Sequence, residues 1–462
     1  MQPKESRLSD FLNNPRRAMW KLAMPVMFGM LTMTIYSLAD MFFVGKLGGD
    51  AITAVAFVMP LVFFALGITF GIGSGITAVI AKFIGEENKH QADNAAEHSI
   101  LLGLVLGAIF TTGGLVFGSQ LLTILGASGD VHQMGLGYFR ILSFGFVFSV
   151  ISVIFRSILT GEGDTKSPMI IQGFGTVLNI FLDPLFIFTF DLGVFGAGLA
   201  TVVSQTITVL IFVYLLFFKK HAYVTFSPRD FSFSAKIVGK IMQIGIPASL
   251  SMIIMSFGSM IFNRILVLYG NDAVAGYTVA HRIDHIFFMP IGSIAQALVT
   301  LVGMFYGAKR FNLMRSIIFY GMARSIVISA TLALIFWIYA EWIIAQFTAV
   351  DGIITVGKTY IRYLVFAYPL IAIGMTSGRV LQGLGKGLPM LVTTILRVIA
   401  ISVPLSLAGI FWFDAPIEWI WTSMLISFFI APLVAITWLL TNLKSIERAS
   451  DFNPALKFSE NI

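Results

Sequence analysis

Three acidic side chains interrupt long apolar stretches of the chain: Asp40, Asp183 and Asp284. An ionisable group costs at least ~2.5 kcal/mol at the centre of a membrane-spanning helix, so residues of this kind usually have a function. Burial and a nearby like charge both favour the protonated form of a carboxyl group, and carboxylate oxygens also suit hard cations. Asp40 and Asp183 therefore predict reversible binding of protons or small cations, whereas Asp284 belongs to a separate polar group.

Asp40 and Asp183 belong to the first and fifth apolar stretches, which cross a membrane in the same direction. Asp183 is 15 residues beyond Pro168, or about 22 Å along a helix, so both acids should lie near the same membrane surface. Asn179 is one helical turn from Asp183, and Thr201 has a similar depth in the sixth stretch. We expect Asp40, Asn179, Asp183 and Thr201 to form a cation-coupling site for H⁺ or Na⁺.

Both acids also have a purely structural interpretation. Asp183 precedes Pro184, so this pair could form a turn at the membrane surface, and Asp40 could cap a helix at the interface. Pro184 has no backbone N–H and weakens the helix around position 180. The fifth helix could therefore bend when the charge of Asp183 is neutralised.

Side chains next to Asp40 could contact a transported molecule. Tyr36 and Ser37 lie about one turn before Asp40, and Met33 lies one turn further back. We assign Tyr36 and Ser37 to a substrate cavity because they lie beside Asp40. We add Met33 because methionine adapts to varied apolar shapes. Lipid contact or packing is the simpler explanation for most of the 21 methionines.

The eighth apolar stretch carries a compact polar group: His281, Arg282, Asp284 and His285. The two histidines are one turn apart, as metal ligands can be, but Arg282 would repel a metal cation and no third ligand is evident. Two interpretations stay open. The group is either a buried Arg–Asp ion pair, with Arg264 as a further candidate, or a secondary titrating or substrate-facing site.

The composition is that of an integral membrane protein. Of the 462 residues, 57% are hydrophobic and 11% are charged, against roughly 25% charged in soluble domains. Twelve apolar stretches reach spanning length, about 20 residues. We therefore predict an all-α fold with twelve transmembrane helices. Cysteine is absent, which excludes disulfides, thiol nucleophiles and cysteine metal sites.

Lysine and arginine indicate the orientation. They concentrate in alternate loops, whereas the opposite loops have little beyond Lys46 and Lys358. By the positive-inside rule, both termini lie in the cytoplasm and the chain crosses the inner membrane many times. The net charge of +7 then reflects cytoplasmic loops beside anionic lipid, and we expect no nucleic-acid partner.

The chain repeats itself with an offset of 222 residues, as between Pro25 and Pro247 or Tyr138 and Tyr360. The same offset relates Gly161-Glu162-Gly163 to Gly383-Leu384-Gly385. Six helices per repeat is an even number, so both halves should enter from the same side and be related by a pseudo-two-fold axis along the membrane normal. We predict an N-terminal six-helix lobe over 1–218, a cytoplasmic linker over 219–240, and a C-terminal six-helix lobe with a cytoplasmic tail over 241–462.

The chain resembles the multidrug and toxic compound extrusion (MATE) family over nearly its whole length. The resemblance rests on Ala39-Asp40 followed by Val44-Gly45-Lys46-Leu47-Gly48, on Phe83-Ile84-Gly85, and on Gly161-Glu162-Gly163-Asp164-Thr165-Lys166. It implies that Asp40, Asn179, Asp183 and Thr201 match the family's N-lobe cation site. It also implies that Tyr138 matches an aromatic residue beside that site, and we add Tyr138 to the substrate cavity.

Within this family, the chain is more similar to the branch named for a DNA-damage-inducible protein, because its acids lie in the first and fifth helices. The sodium-coupled branch has acids in the seventh and tenth helices. This chain has none between Pro247 and Leu268 or between Lys358 and Arg379.

The resemblance implies a secondary antiporter, not an enzyme, that exports amphipathic, often cationic drug-like compounds in exchange for H⁺ or Na⁺. The segment from Gly161 to Ser167 lacks the glycine spacing of a phosphate loop, so we expect an ion gradient to drive transport and no cofactor. The expected partners are drug-like molecules and membrane lipid, and we expect a monomer.

Three other functions deserve comparison. A lipid-linked sugar flippase would favour a basic cavity, but the apolar stretches hold few cations beyond Arg264, Arg282 and Arg397. An intramembrane prenyltransferase would need an Asp-rich magnesium motif, which the sequence lacks. A passive channel would be revealed by single-channel currents.

Overall fold

The computed structural model describes residues 6–227 and 231–451, with side chains through residue 448. All secondary structure in these residues is helical, and twelve helices are long and apolar enough to cross a membrane. The prediction of an all-α fold with twelve spans is therefore confirmed. In chain order the spans are Pro15–Gly45, Gly49–Gly85, Lys89–Ile124, Gly129–Gly161, Lys166–Thr189, Gly193–Phe218, Ala235–Tyr269, Asn271–Gly307, Phe311–Ala345, Asp351–Gly383, Leu388–Phe413 and Glu418–Arg448. A short helix, Leu8–Asn13, precedes them.

The duplicated sequence produces duplicated helix ends. The second and eighth spans have bounds that differ by the same 222 residues as the sequence markers. The fourth and tenth spans both end in a glycine turn, with φ of +83° at Gly163 and +86° at Gly385. In each turn the glycine N–H donates three residues back, to Thr160 at 3.0 Å and to Gln382 at 2.9 Å. Glycine occupies both positions because left-handed backbone strains other residues.

Several spans contain a short irregular segment. The α-helix of the fifth span ends at Pro184 and continues as a π-helix, Leu185–Thr189, close to the weak point predicted around position 180. The tenth span is interrupted by a 3₁₀ segment, Val365–Ala367, just before Pro369. A proline cannot donate the backbone hydrogen bond that would continue the α-helix, so both breaks have a local cause.

The chain forms two compact units. The first comprises Met24–Gly245 with Met1–Ser9, and the second comprises Ile246–Ile462 with Asp10–Ala23. In the first unit the fourth span packs on the second, third and sixth spans. A Cβ atom at Gly114 of the third span would lie 2.2 Å from Ser143 Oγ of the fourth. Glycine therefore lets these two backbones approach closely, as is common between membrane helices.

The second unit is built around the eighth span, which packs on the ninth span and on both α-helices of the tenth span, Asp351–Leu364 and Tyr368–Gly383. Its core is rich in aromatic side chains. The ring of Tyr368 stacks on Phe287 with centroids 3.8 Å apart, and Trp421 is fully buried.

The segment after the sixth span is held to the first unit by acidic side chains. Glu162 accepts hydrogen bonds from the backbone N–H groups of Tyr223 and Val224 at 2.8 and 3.2 Å. Burial raises the pKa of Glu162 to about 7. Burial also opposes ionisation of Asp164, but the Arg7 guanidinium, 3.0 Å away, holds the pKa of Asp164 well below its usual range.

Candidate functional site

The polar group predicted in the N-terminal half comes together inside the first unit. Asp40 of the first span, Asn179 and Asp183 of the fifth span are 7%, 1% and 0% exposed. Asp183 lies within electrostatic range of Asp40. The two acids are separated by 143 positions in the sequence yet share one buried environment. Both acids are therefore buried within the first unit.

Asn179 connects Asp183 to the sixth span. The hydrogen-bond network assigns its amide orientation: Nδ2 donates to Asp183 Oδ2 at 3.2 Å, and Oδ1 accepts from the Thr201 backbone N–H at 3.2 Å. The Thr201 hydroxyl forms a hydrogen bond with the Tyr36 hydroxyl at 3.0 Å. One continuous network thus joins the first, fifth and sixth spans.

Asp40, which lies within electrostatic range of Tyr36 in this network, has an unsatisfied atom. Its Oδ1 is buried and has no hydrogen-bond partner among the residues that the structure describes. A buried acceptor without a partner costs the full desolvation penalty of that group, and the cost is larger when the group is charged. Binding a proton or a small cation at Asp40 would remove this cost.

The residues assigned to the substrate cavity divide into two sets. Tyr36 and Tyr138 lie within electrostatic range of both Asp40 and Asp183, and Tyr138 is 2% exposed. Met33 and Ser37 instead lie on an exposed face of the first span, where the Ser37 hydroxyl donates to the Met33 carbonyl at 3.1 Å. The structure therefore groups the tyrosines with the acids and places Met33 and Ser37 on another side of the helix.

The donor set suits a proton or a hard cation. The carboxylates of Asp40 and Asp183, the Asn179 amide oxygen and the Thr201 hydroxyl are all oxygen ligands, which Na⁺ prefers over nitrogen or sulfur. The described residues contain no cluster of three or more His, Cys, Asp or Glu side chains able to hold a metal ion. Two neighbouring buried carboxylates also favour proton uptake, because they cannot both stay ionised at low cost.

The polar residues of the eighth span lie on different faces of its helix. His281, Arg282 and His285 are exposed, whereas Asp284 is 4% exposed. His281 stacks on Tyr277 at 5.6 Å. The two carboxylate oxygens of Asp284 accept hydrogen bonds from the hydroxyls of Tyr360 and Tyr368. The four residues thus do not form one site, and the partners of Asp284 come from the tenth span.

The sequence reasoning missed Tyr360 and Tyr368 as partners of a carboxylate. A signal was available for one of them, because Tyr360 is the repeat counterpart of Tyr138, which lies beside the acids of the first unit. No local pattern links Tyr368 to Asp284, which is 84 residues away in the chain.

The fold defines a multi-pass membrane protein of twelve helices with two homologous halves and buried acids in both. The sequence pattern of the MatE family matches residues 25–185 and again residues 247–408. The chain belongs to this family and is a MATE-type transporter, not an enzyme. The two matches begin at the prolines that opened the repeat, Pro25 and Pro247.

Known relatives agree with this assignment. The chain is 27% identical over 421 residues to the multidrug export protein MepA of Staphylococcus aureus, covering 88% of this chain and 92% of MepA. It is 25% identical over 414 residues to a probable multidrug resistance protein, NorM, of Thermotoga maritima, covering 89% of each. Its structure resembles an outward-facing multidrug resistance MATE family transporter with a TM-score of 0.91, 30% identity, and coverage of 96% and 100%.

Proposed function

We propose that the protein is a multidrug efflux antiporter that exchanges protons, or Na⁺, for amphipathic and often cationic compounds. Coupling takes place at Asp40, Asn179, Asp183 and Thr201. The observation that carries this proposal is the buried Asp40 oxygen without a partner, next to a second buried carboxylate. The relatives MepA and NorM are named as multidrug export and probable multidrug resistance proteins, which supports export of drug-like molecules.

The coupling follows from the charge of the two acids. When both are ionised, the buried negative charge attracts a cationic compound, and when they are neutralised that attraction is lost. Neutralising Asp183 also changes its hydrogen bond with Asn179, in the α-helix that ends at Pro184, where the π-helix Leu185–Thr189 follows. A bound ion can shift a conformational equilibrium only by its differential affinity for the two states. Mutually exclusive binding of ion and compound would supply that difference.

The remaining parts of the proposal concern the surroundings of this site. Tyr36, Tyr138, Met33 and Ser37 contact the transported compound. The protein works as a monomer in the inner membrane with both termini in the cytoplasm. The lobes extend over 1–218 and 241–462 with 219–240 as linker. The acids in the first and fifth spans support assignment of the chain to the branch named for a DNA-damage-inducible protein.

The test is drug efflux by Asp40→Asn and Asp183→Asn variants. We expect each to lose at least about tenfold in gradient-driven dye export from proteoliposomes, since asparagine keeps the shape but cannot change charge. Asp130→Asn is the matched control, because Asp130 is an exposed acid at the start of the fourth span. Separately imposed proton and sodium gradients identify the ion. Undiminished export by both test variants would refute the coupling role.

A further inference from the structure

The second unit contains a buried carboxylate that the proposed transport cycle does not use. Asp284 Oδ2 accepts from the Tyr360 hydroxyl at 2.6 Å, and Oδ1 accepts from the Tyr368 hydroxyl. Tyr360 and Tyr368 are 3% and 0% exposed. Both oxygens of the acid thus face hydroxyl donors within an aromatic cluster, where an ionised group is costly.

The two tyrosines lie on opposite sides of a break in the tenth span. Tyr360 belongs to the α-helix Asp351–Leu364, and Tyr368 begins the α-helix Tyr368–Gly383. Between them is the 3₁₀ segment Val365–Ala367, next to Pro369. A single carboxylate from the eighth span therefore ties the two halves of the tenth span to one point.

This double attachment depends on the charge of Asp284. An ionised carboxylate has only acceptors, so both hydroxyls can donate to it. When a proton from water binds one oxygen, that oxygen becomes a donor, and the tyrosine facing it must accept a hydrogen bond in place of donating one. The rings of Phe287, 3.8 Å from Tyr368, and Trp421, 5.0 Å from Tyr360, pack against the two phenols. Hydrogen bonds to an ionised acceptor are roughly twice as strong as those between neutral groups, so protonation weakens the attachment of both tyrosines.

Other charged and titratable groups around Asp284 are few. The eighth span itself contributes Tyr277 and His281, the latter stacked on Tyr277. Arg397 of the eleventh span lies within electrostatic range of Tyr277 and Tyr360, with its guanidinium over the Phe428 ring. The seventh span contributes Ser259, next to Tyr277, and the ninth and twelfth contribute the rings of Phe336 and Trp421.

We propose that Asp284 is a proton-binding site of the C-terminal lobe, and that its protonation loosens the attachment across the break in the tenth span. The proton adds to a carboxylate oxygen and leaves again to water, and no other bond forms or breaks. This site is separate from the acids of the first unit, so the C-terminal lobe would respond to protons in its own right.

Distance measurements across the break test this directly. The chain has no cysteine, so Thr355→Cys, before the break, and Leu388→Cys, at the start of the eleventh span just after the tenth ends, allow a pair of spin labels at two exposed positions. Acidification should shift the label distance in the parent protein. In Asp284→Asn the distance should be the acidic one at every pH, because asparagine is neutral. Infrared difference spectra should show a protonated carboxyl band that this variant loses.

Controls separate this site from the proposed coupling site. Asp183→Asn should keep the pH-dependent shift in the tenth span, even where transport is lost. Tyr368→Phe retains the acid but removes one attachment, so its label distance should be close to the acidic one throughout, and this variant serves if Asp284→Asn does not fold. The proposal is overturned if the label distance in the parent protein does not change with pH. It is also overturned if the label distance in Asp284→Asn still changes with pH.

Discussion

The two halves of the transporter place a tyrosine from the same repeat position beside buried acids. Tyr138 lies within electrostatic range of Asp40 and Asp183, and Tyr360 donates a hydrogen bond to Asp284. The acids, however, come from the first and fifth spans in one half and from the eighth span in the other. Duplication thus places a tyrosine at the same repeat position in each half, whereas the acids beside it belong to helices that are not repeat counterparts.

None of the three acids has an acidic counterpart in the other half. The residues at the repeat positions are Phe262, Leu405 and Val62. The hydrogen-bond partners differ as well, since an amide serves the carboxylate of Asp183 and two phenols serve that of Asp284. The two halves therefore share their helices through duplication but differ in their ionisable residues and in the hydrogen-bond partners of those residues.

Helix packing should give the largest difference between the halves. The repeat counterpart of Gly114 is Phe336, whose ring packs 6.2 Å from Phe287. Gly114→Phe would force the third and fourth spans apart, so we expect it to destabilise the protein by about 3 kcal/mol or to prevent folding. Denaturant unfolding of detergent-purified protein measures this loss.

The adjacent glycine is a matched control for this change. A Cβ atom at Gly113 would meet nothing within 4 Å, so Gly113→Phe should be tolerated. Equal losses of stability in the two variants would contradict the proposed close approach of the third and fourth spans.

The repeat-related tyrosines should differ by a smaller amount. Tyr360→Phe leaves one oxygen of a buried carboxylate without its donor, at an expected cost of about 1–3 kcal/mol. The described residues give the Tyr138 hydroxyl no hydrogen-bond partner, so Tyr138→Phe should cost less than about 0.5 kcal/mol. Unfolding of both variants in parallel checks this order, and a reversed order would mean that Tyr138 makes the stronger polar contact.

The smallest expected effect concerns the turns at the ends of the fourth and tenth spans. Glu162 occupies the repeat position of Leu384. Burial raises the pKa of Glu162 to about 7. Glu162 therefore binds its proton more tightly when the segment with Tyr223 and Val224 is packed against it than when that segment has opened into solvent. The stabilising contribution is therefore full below the ordinary glutamate range of about 4.3 and is lost as the pH rises through about 7.

Hydrogen exchange at Tyr223 and Val224 measures this dependence. After correction for intrinsic exchange rates, protection of these two amides should fall as the pH rises, and Glu162→Gln should remove the trend. The amides of Gly385 and Lys386, in the turn that carries Leu384, provide an internal control without an acid. The same trend in both turns would exclude Glu162 as its cause.

Hydropathy was sufficient to predict the twelve spans and the all-α fold, and the family was indicated by the resemblance of particular motifs. Depth along the helices, together with that resemblance, singled out Asp40, Asn179, Asp183 and Thr201, since residues of equal depth lie near one membrane surface. Depth along a helix does not specify which face of the helix is buried. It could not place Met33 and Ser37 on the exposed face of the first span, because the face that a helix buries depends on its neighbours.

The sequence by itself determined which segments enter the membrane, because the transfer of a helix into lipid depends on sums over about 20 adjacent residues. Only the tertiary structure decided which polar groups meet. The contacts of Asp284 with Tyr360 and Tyr368 join residues 76 and 84 positions apart. Such contacts depend on the rotation and depth of helices packed against each other, which local composition does not encode.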